Sequence, residues 1–297
     1  MNLDNIGMYI LFDIGATNIR IALSKDGITF EEPEKFTTPR NFEDGIRSFC
    51  DAARLFANGQ KIIASAGGVK GPIDTAGTLL NPPDLPGWRG KNLKKHLEDN
   101  LQSPVFIEND TAIVGLGEAA AGAGKKKEIV AYVTVSTGTN GVRIINGKLD
   151  KSRHGFEIGH QIINMEKKIQ CTCTTLPTLG HPEAYISGSG FEKRFSKKAY
   201  EITDPDVWEE AARILAVMLH NVIVSWSPDI IILGGPMITG DKGPTILINR
   251  VRFYVDDFLK IFPEAPPIEK AELGAFGGLH GALEFLNQEL LKSDFNR

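Results

Sequence analysis

One pattern occurs twice in this chain of 297 residues, and it limits the fold more than any other feature. Gly15-Ala16-Thr17-Asn18-Ile19-Arg20-Ile21 and Gly138-Thr139-Asn140-Gly141-Val142-Arg143-Ile144 align at a spacing of 123 residues. Each follows an apolar strand, runs through a polar glycine turn and enters a second strand that carries an arginine. Internal similarity at this spacing predicts two related lobes, each opened by a β-hairpin and continued by alternating strands and helices. Two unrelated hairpins with glycine turns look alike over so few residues, and that alternative stands beside duplication. With 42% apolar residues the chain can bury the cores that two lobes need.

Strands are predicted over 8–13 and 18–24, with Lys25-Asp26-Gly27 turning the chain toward a third strand. A helix follows over 42–57, then a strand over 61–66 that ends in Gly67, Gly68, Gly71 and Pro72, a helix over 93–100 and a buried strand over 105–107. Asn81-Pro82-Pro83-Asp84-Leu85-Pro86-Gly87-Trp88 cannot be helical, because prolines fix φ and remove donors; it reads as an ordered loop near a surface or cleft. Further helices are predicted over 112–121, 207–224 and 275–292, and a short strand over 229–233 runs into Gly234-Gly235-Pro236. Gly277, Gly278 and Gly281 would let the last helix lie close against a sheet.

Several function classes are excluded. A net charge of -4, with Lys125-Lys126-Lys127 as the only basic triplet, leaves no basic stripe for nucleic acid. No segment approaches the roughly 18 apolar residues of a membrane span. Asp13 and Gly15 interrupt the first apolar run, so no signal peptide is read. Three cysteines and no secretory signal predict a cytoplasmic protein. Neither a Gly-x4-Gly-Lys-[Ser/Thr] loop nor a Gly-x-Ser-x-Gly elbow is present.

Two of the three cysteines and two of the six histidines fall within 22 residues, as His160, Cys171, Cys173 and His181. Thiolates and imidazoles at this spacing suit a closed tetrahedral zinc site, whereas cysteines one residue apart rarely meet disulfide geometry. Chance clustering is the competing reading, since Cys-x-Cys is a weak motif. Cys50 is most simply a buried thiol.

A Gly/Thr turn between strands points backbone N–H groups and hydroxyls at an anion, so the two turns suit a nucleoside triphosphate. Asp13 ends the first strand, where it can bind Mg²⁺ or cap its own turn. Asp110 follows a buried strand and opens a helix rich in alanine and glycine. It is placed to act as a general base for phosphoryl transfer to an alcohol, or to serve as a helix N-cap. Asn109 beside it suits sugar hydroxyls. Glu157 and His160 lie three apart, with Gly155 and Gly159 beside them, and Glu183 lies two beyond His181; a solvated salt bridge is the alternative for each glutamate.

Together these residues resemble the ROK family (repressor, open reading frame, kinase) of the sugar kinase, actin and heat-shock chaperone superfamily. The resemblance rests on residues 13–20, Leu85-Pro86-Gly87-Trp88, Glu108-Asn109-Asp110, Ser136-Thr137-Gly138-Thr139, Glu157-Ile158-Gly159-His160, the Cys171/Cys173 element and Leu233-Gly234-Gly235. It implies an α/β fold of two actin-like (ribonuclease H-like) lobes around a central cleft. The lobes would be 1–112, completed by a helix over 284–297, and 113–283, with a zinc element over 160–181. It implies an ATP-dependent hexose kinase with Asp110 as base. Gly68, Asn81, Asn109, Glu157, His160 and Glu183 would hold the sugar. Asp13, Gly15, Ala16, Thr17, Asn18, Arg20, Thr137, Gly138, Thr139, Gly234 and Gly235 would hold ATP with Mg²⁺. A structural Zn²⁺ on His160, Cys171, Cys173 and His181, and a homodimer, are also implied.

Glucose is the sugar the motifs favour, with N-acetylglucosamine, N-acetylmannosamine, fructose and allose as alternatives. A catalytically idle sugar sensor is a further class. The family's repressors carry a helix-turn-helix ahead of the first loop, and Asp13 stands too early for one. Ala16, Ser136 and Asn140 occupy places where the family favours glycine, and His181 stands in for a third cysteine.

Overall fold

The computed structural model describes residues 8–82, 84–153, 155–169, 178–240 and 243–295. The chain divides into two compact units, Met1–Ala120 with Leu273–Arg297, and Ala121–Glu272. In chain order the first unit holds β1 (Met8–Ile14), β2 (Asn18–Ser24), β3 (Glu34–Thr37), α1 (Phe42–Ala57), β4 (Ile62–Val69), α2 (Leu93–Leu101), β5 (Val105–Asn109) and α3 (Asp110–Ala121). The second holds β6 (Ile129–Val135), β7 (Thr139–Ile145), β8 (Lys148–Leu149), β9 (Asn164–Ile169), β10 (Thr178–Gly180), α4 (Pro182–Ile186), α5 (Gly188–Phe195), α6 (Pro205–Trp226), β11 (Ile230–Gly234), α7 (Pro236–Thr239), α8 (Ile248–Phe258) and β12 (Ile268–Lys270). The last helix, α9 (Gly277–Phe295), returns to the first unit. Among the described residues no helix is long and apolar enough to cross a membrane.

Strand alternation decides the layers of the first unit. Ile10, Phe12 and Ile14 of β1 face α1 and α2, with Phe49, Leu93 and Leu97, while Leu11 faces the other way toward Leu279, Ala282 and Leu286 of α9. On that second face the sheet offers Ala22, Ala64 and Ala66, small enough for a helix to approach. Helix α1 forms because Ile46, Phe49, Cys50 and Ala53 repeat at helical spacing. Asn41 caps its start by accepting from the Asp44 N–H, and Asn58 ends it in the left-handed conformation. Burial pushes the Cys50 thiol up to about 11, so it stays a neutral core group. In the second unit Ala131, Val133 and Val135 of β6 and Ile231 and Leu233 of β11 pack on Leu215, Met218, Leu219 and Val222 of α6.

The two sheets share one topology. Their orders are β3-β2-β1-β4-β5 and β8-β7-β6-β11-β12, with the three hairpin strands antiparallel and the remaining neighbours parallel in both. The residue match that suggested duplication is nevertheless out of register. Ile14 pairs with Ile19, leaving residues 15–18 in the first turn, whereas Val135 pairs with Thr139, leaving only 136–138 in the second. Gly15 therefore opens its turn and Gly138 closes its own. Arg20 stands opposite Asp13, while Arg143 stands opposite Ala131 and donates instead to Asp150, with Nε at 2.8 Å. The glycines fall at opposite ends of turns of unequal length, so the residues aligned after them lie at different depths in their strands and meet different partners.

Two further expectations gain detail. The loop around Leu85-Pro86-Gly87-Trp88 is a 3-10 turn over Pro86–Trp88 that anchors the core. Trp88 is 1% exposed, its indole N–H donates to the Pro39 carbonyl at 3.0 Å, and its ring meets Phe42 edge to face. Helix α9 lies against the sheet as its glycines predict, and they also admit α3 and the carboxylate of Asp13 on β1. A Cβ on Gly281 would lie 1.7 Å from the Ile113 carbonyl oxygen of α3, and one on Gly278 would lie 3.0 Å from Cγ of Asp13.

Candidate active site

In the first unit the ladder brings the carboxyl ends of three parallel strands level, since Asp13 pairs with Gly68 and Gly68 with Glu108. This is where open α/β sheets gather functional groups. The Asp13 side chain is 18% exposed and lies 3.4 Å from Nη1 of Arg20, its cross-strand neighbour. Burial first, and then the charge of Asp110, raise its pKa to about 6 against the opposing pull of Arg20 and Lys70. The raised proton affinity of Asp13 is what a bound cation would relieve.

The capping role at the start of α3 falls to the neighbour of Asp110. Asn109 does the capping, its Oδ1 accepting from the N–H groups of Thr111 at 3.0 Å and Ala112 at 3.4 Å. Its Nδ2 donates to the Gly71 carbonyl at 3.1 Å, so the amide group is drawn into the scaffold. Asp110 occupies the first helical position. Its Oδ1 accepts from the Thr111 N–H at 2.9 Å and its Oδ2 lies 3.7 Å from Nζ of Lys70. Gly68 permits this approach, because a Cβ there would lie 3.0 Å from Cα of Asp110. Asn81 is exposed, next to Pro82, whose Cβ would be 2.9 Å from a Cβ on Gly71.

In the turn over 15–18 the Gly15 N–H donates to the Asn18 carbonyl at 2.9 Å, and Thr38 ties both Gly15 and Thr17 to the end of β3. Neither Gly15 nor Ala16 has positive φ, so the methyl of Ala16 meets no backbone strain.

The second turn is held by residues of α4 and α5. The N–H of Thr139 donates to Oε2 of Glu183 at 2.9 Å, and the Thr137 carbonyl accepts from the backbone N–H and Oγ of Ser189 at 3.1 and 2.7 Å. The ladder starts at Val135 and Thr139, so the N–H groups of Thr137 and Gly138 take no part in it, which suits an anion. Oε1 of the same Glu183 lies 3.8 Å from Nε2 of His160, and Oε2 of the exposed Glu157 lies 3.9 Å from that nitrogen. Gly159 makes the arrangement possible, since a Cβ there would lie 1.9 Å from the Thr139 carbonyl oxygen. Gly234 and Gly235 lie under the hairpin, where a Cβ on Gly235, at φ 86°, would meet the Val135 carbonyl oxygen at 2.4 Å. The helix that follows them, α7, is a single turn.

Of the four zinc ligands read from the sequence, Cys171 and Cys173 lie outside the described residues. His160 and His181 do come together, their ring centroids 4.9 Å apart. Nδ1 of His181 meets the Gly159 carbonyl at 3.1 Å, which as a donor leaves the lone pair on Nε2. Burial lowers the His181 pKa, assisted by His160, and so favours the neutral imidazole that binds metals. Among the described residues no group of three or more His, Cys, Asp or Glu side chains could hold a metal ion.

Sequence reasoning passed over two contributors. Lys70 is a single lysine after a strand, with no spacing that marks it. Ser189 is one hydroxyl among many, tied to the second turn only through folding.

Comparison with known proteins completes the description. The sequence profile of the ROK family matches residues 9–289. An N-acetyl-D-glucosamine kinase of Escherichia fergusonii is 27% identical over 306 residues, covering 93% of this chain and 98% of its own. A ROK hexokinase from Thermus thermophilus superposes with a TM-score of 0.83 at 26% identity, over 96% of this chain and 99% of the other. A ROK family glucokinase from Streptomyces griseus, solved with glucose and AMPPNP, gives 0.76 at 26% identity, over 95% and 100%. Matched across a span that takes in Asp13, Asp110, His160 and Glu183, the chain belongs to the ROK family.

Proposed function

We propose that this ROK-family sugar kinase transfers the γ-phosphoryl group of ATP to the 6-hydroxyl of a hexose, glucose or N-acetylglucosamine before the others. The observation that carries the proposal is the division of labour at the start of α3. Asn109 caps the helix, so Asp110 is left with one oxygen fixed by the Thr111 N–H and a carboxylate able to accept a proton. In the transfer the sugar oxygen attacks phosphorus, its proton passes to Asp110, and the bond to the β-phosphate bridging oxygen breaks.

Asp13 would hold Mg²⁺, and its pKa of about 6, raised by burial and by Asp110, fits that task. The ion supplies charge neutralisation on the phosphates. Gly15, Ala16, Thr17, Asn18 and Arg20, with Thr137, Gly138 and Thr139, would receive the phosphates through N–H groups and hydroxyls. Gly234 and Gly235 would lie along the nucleotide. Gly68, Asn81, Asn109, Glu157, His160 and Glu183 would serve the sugar. His160 and His181, with Cys171 and Cys173, would hold a zinc ion; the two imidazoles lie side by side, and burial favours the neutral form of His181. That ion supplies a staple for the segment carrying Glu157, His160 and Glu183. Elemental analysis giving well under one zinc per chain counts against it. A cytoplasmic location and a homodimer belong to the same proposal, the latter open to light scattering.

The named activities of the relatives, N-acetyl-D-glucosamine kinase and glucokinase, support the sugar class and leave the 2-position to experiment. ADP release with Mg²⁺-ATP is measured against glucose, N-acetylglucosamine, N-acetylmannosamine, fructose and allose. Turnover with glucose or N-acetylglucosamine that collapses in Asp110→Asn is the expected result. Absence of turnover with all five, from folded protein, would sink the kinase assignment and favour a sugar sensor.

A further inference from the structure

Four charges alternate at the carboxyl end of the first sheet, and one of them has no part in the scheme above. Asp13 has Arg20 at 3.4 Å, supplied by the β1–β2 register. Asp110 has Lys70 at 3.7 Å, supplied by a different device. The Lys70 N–H donates to the Ile14 carbonyl at 2.8 Å and so extends the β1–β4 ladder one residue past the strand. Gly71 then turns the chain at φ 101°, and Asn109 pins that turn by donating to the Gly71 carbonyl. The backbone that carries Lys70 is thus fixed by the same Asn109 that caps the helix of Asp110. Lys70 and Asp110 are 24% and 22% exposed, sheltered enough for the pair to outweigh an open surface contact.

The groups around Asp110 explain why a cation is needed there. Asp13 on β1 repels it, Arg20 on β2 lies against Asp13, and the helix of Asp110 itself contributes the Thr111 N–H. With Oδ1 held by that N–H, the orientation of Oδ2 is the remaining freedom, and the ammonium group of Lys70 faces it. We infer that Lys70 is a positioning residue for phosphoryl transfer, acting through Asp110 by holding its carboxylate oriented against the repulsion of Asp13. The inference rests on Asp110 being the base.

The test is a double-mutant cycle on sugar-dependent ADP release, with Lys70→Met, Lys70→Arg, Asp110→Asn and Lys70→Met combined with Asp110→Asn. Lys70→Met is expected to lower kcat about tenfold to a hundredfold, the scale of a misplaced catalytic group, while KM for sugar changes by less than about threefold. Lys70→Arg is expected to recover most of the loss, and Lys70→Met to add nothing in the Asp110→Asn background. Wild-type kcat in Lys70→Met overturns the inference, as does a loss that persists undiminished in the Asp110→Asn background, which would put Lys70 on the phosphoryl group itself. A wild-type enzyme without turnover on any sugar sinks the kinase assignment and this inference together. Turnover that survives Asp110→Asn removes the base, and with it the role given to Lys70.

Discussion

The two hairpins occupy the same place in sheets of the same order, yet they recruit their acids differently. The first carries its carboxylate in the strand, at Asp13, level with Asp110 and balanced by Arg20 and Lys70. The second has Ser136 after its strand and borrows a carboxylate from the first turn of α4, where Glu183 accepts from the Thr139 N–H. One turn thus stands beside a cluster of alternating charges, and the other is a backbone turn held by an acid from a neighbouring helix. A shared topology leaves the turn chemistry free to diverge, because strand order depends on apolar alternation while turn function depends on length and register.

The largest effect expected from this contrast lies in the first unit. Asp110→Asn should lower kcat by about 10²–10⁴, the usual worth of general base catalysis, with sugar affinity largely retained in calorimetry. Glu183→Gln in the same assays should act mainly on ATP and sugar affinity; an equal collapse of kcat would erase the distinction between the hairpins.

Asp13 gives the next effect. Its folded pKa of about 6 lies above the ordinary 3.8, so between these values the native state holds more protons than the unfolded chain. Stability therefore falls as pH rises through that window, by about 3 kcal/mol once it is crossed. Asp13→Asn should raise Tm at pH 8 and leave it unchanged near pH 4, while impairing turnover. A variant less stable than wild type at pH 8 would contradict the assigned burial cost.

Gly159→Ala should cost about 1–3 kcal/mol in thermal or denaturant melts, since its Cβ would lie 1.9 Å from a backbone oxygen. Gly15→Ala, whose Cβ would lie 3.3 Å from the Asn18 carbonyl oxygen, should cost less. Equal losses would mean that the first turn is as tightly backed as the second. Ala16→Gly should be the mildest change, a loss of about 0.5–1 kcal/mol by backbone entropy, because the position does not need positive φ.

Much of the fold was legible because its signals are local. Apolar runs bounded by glycine marked β1, β2, β4 and β11, and helical spacing of Ile46, Phe49 and Ala53 marked α1. What was misread depends on partners distant in sequence. The match of Gly15 with Gly138 ignored ladder register, which only pairing reveals. The stretch 81–88 read as a loop near a surface or cleft because of its prolines, and nothing local showed that Trp88 is buried with the Pro39 carbonyl awaiting its indole. At the site, Asp110 was named with cap and base both open, and the cap turned out to be the side chain of its neighbour Asn109. Glu183 was grouped with His160, but its bond to Thr139 crosses 44 residues and has no sequence trace.

The place of α9 carries a consequence for how the protein is made. Leu279, Ala282 and Leu286 complete one face of the sheet begun at Met8, and Gly278 lies against Asp13. On the ribosome, everything between must be synthesised before that face can close. The second unit is contiguous from Ala121 to Glu272 and has all of its strands in hand earlier. The nascent chain would then finish its later half first and hold the earlier sheet half-covered, a window in which Leu11, Ala22 and Ala64 invite a chaperone or a neighbour.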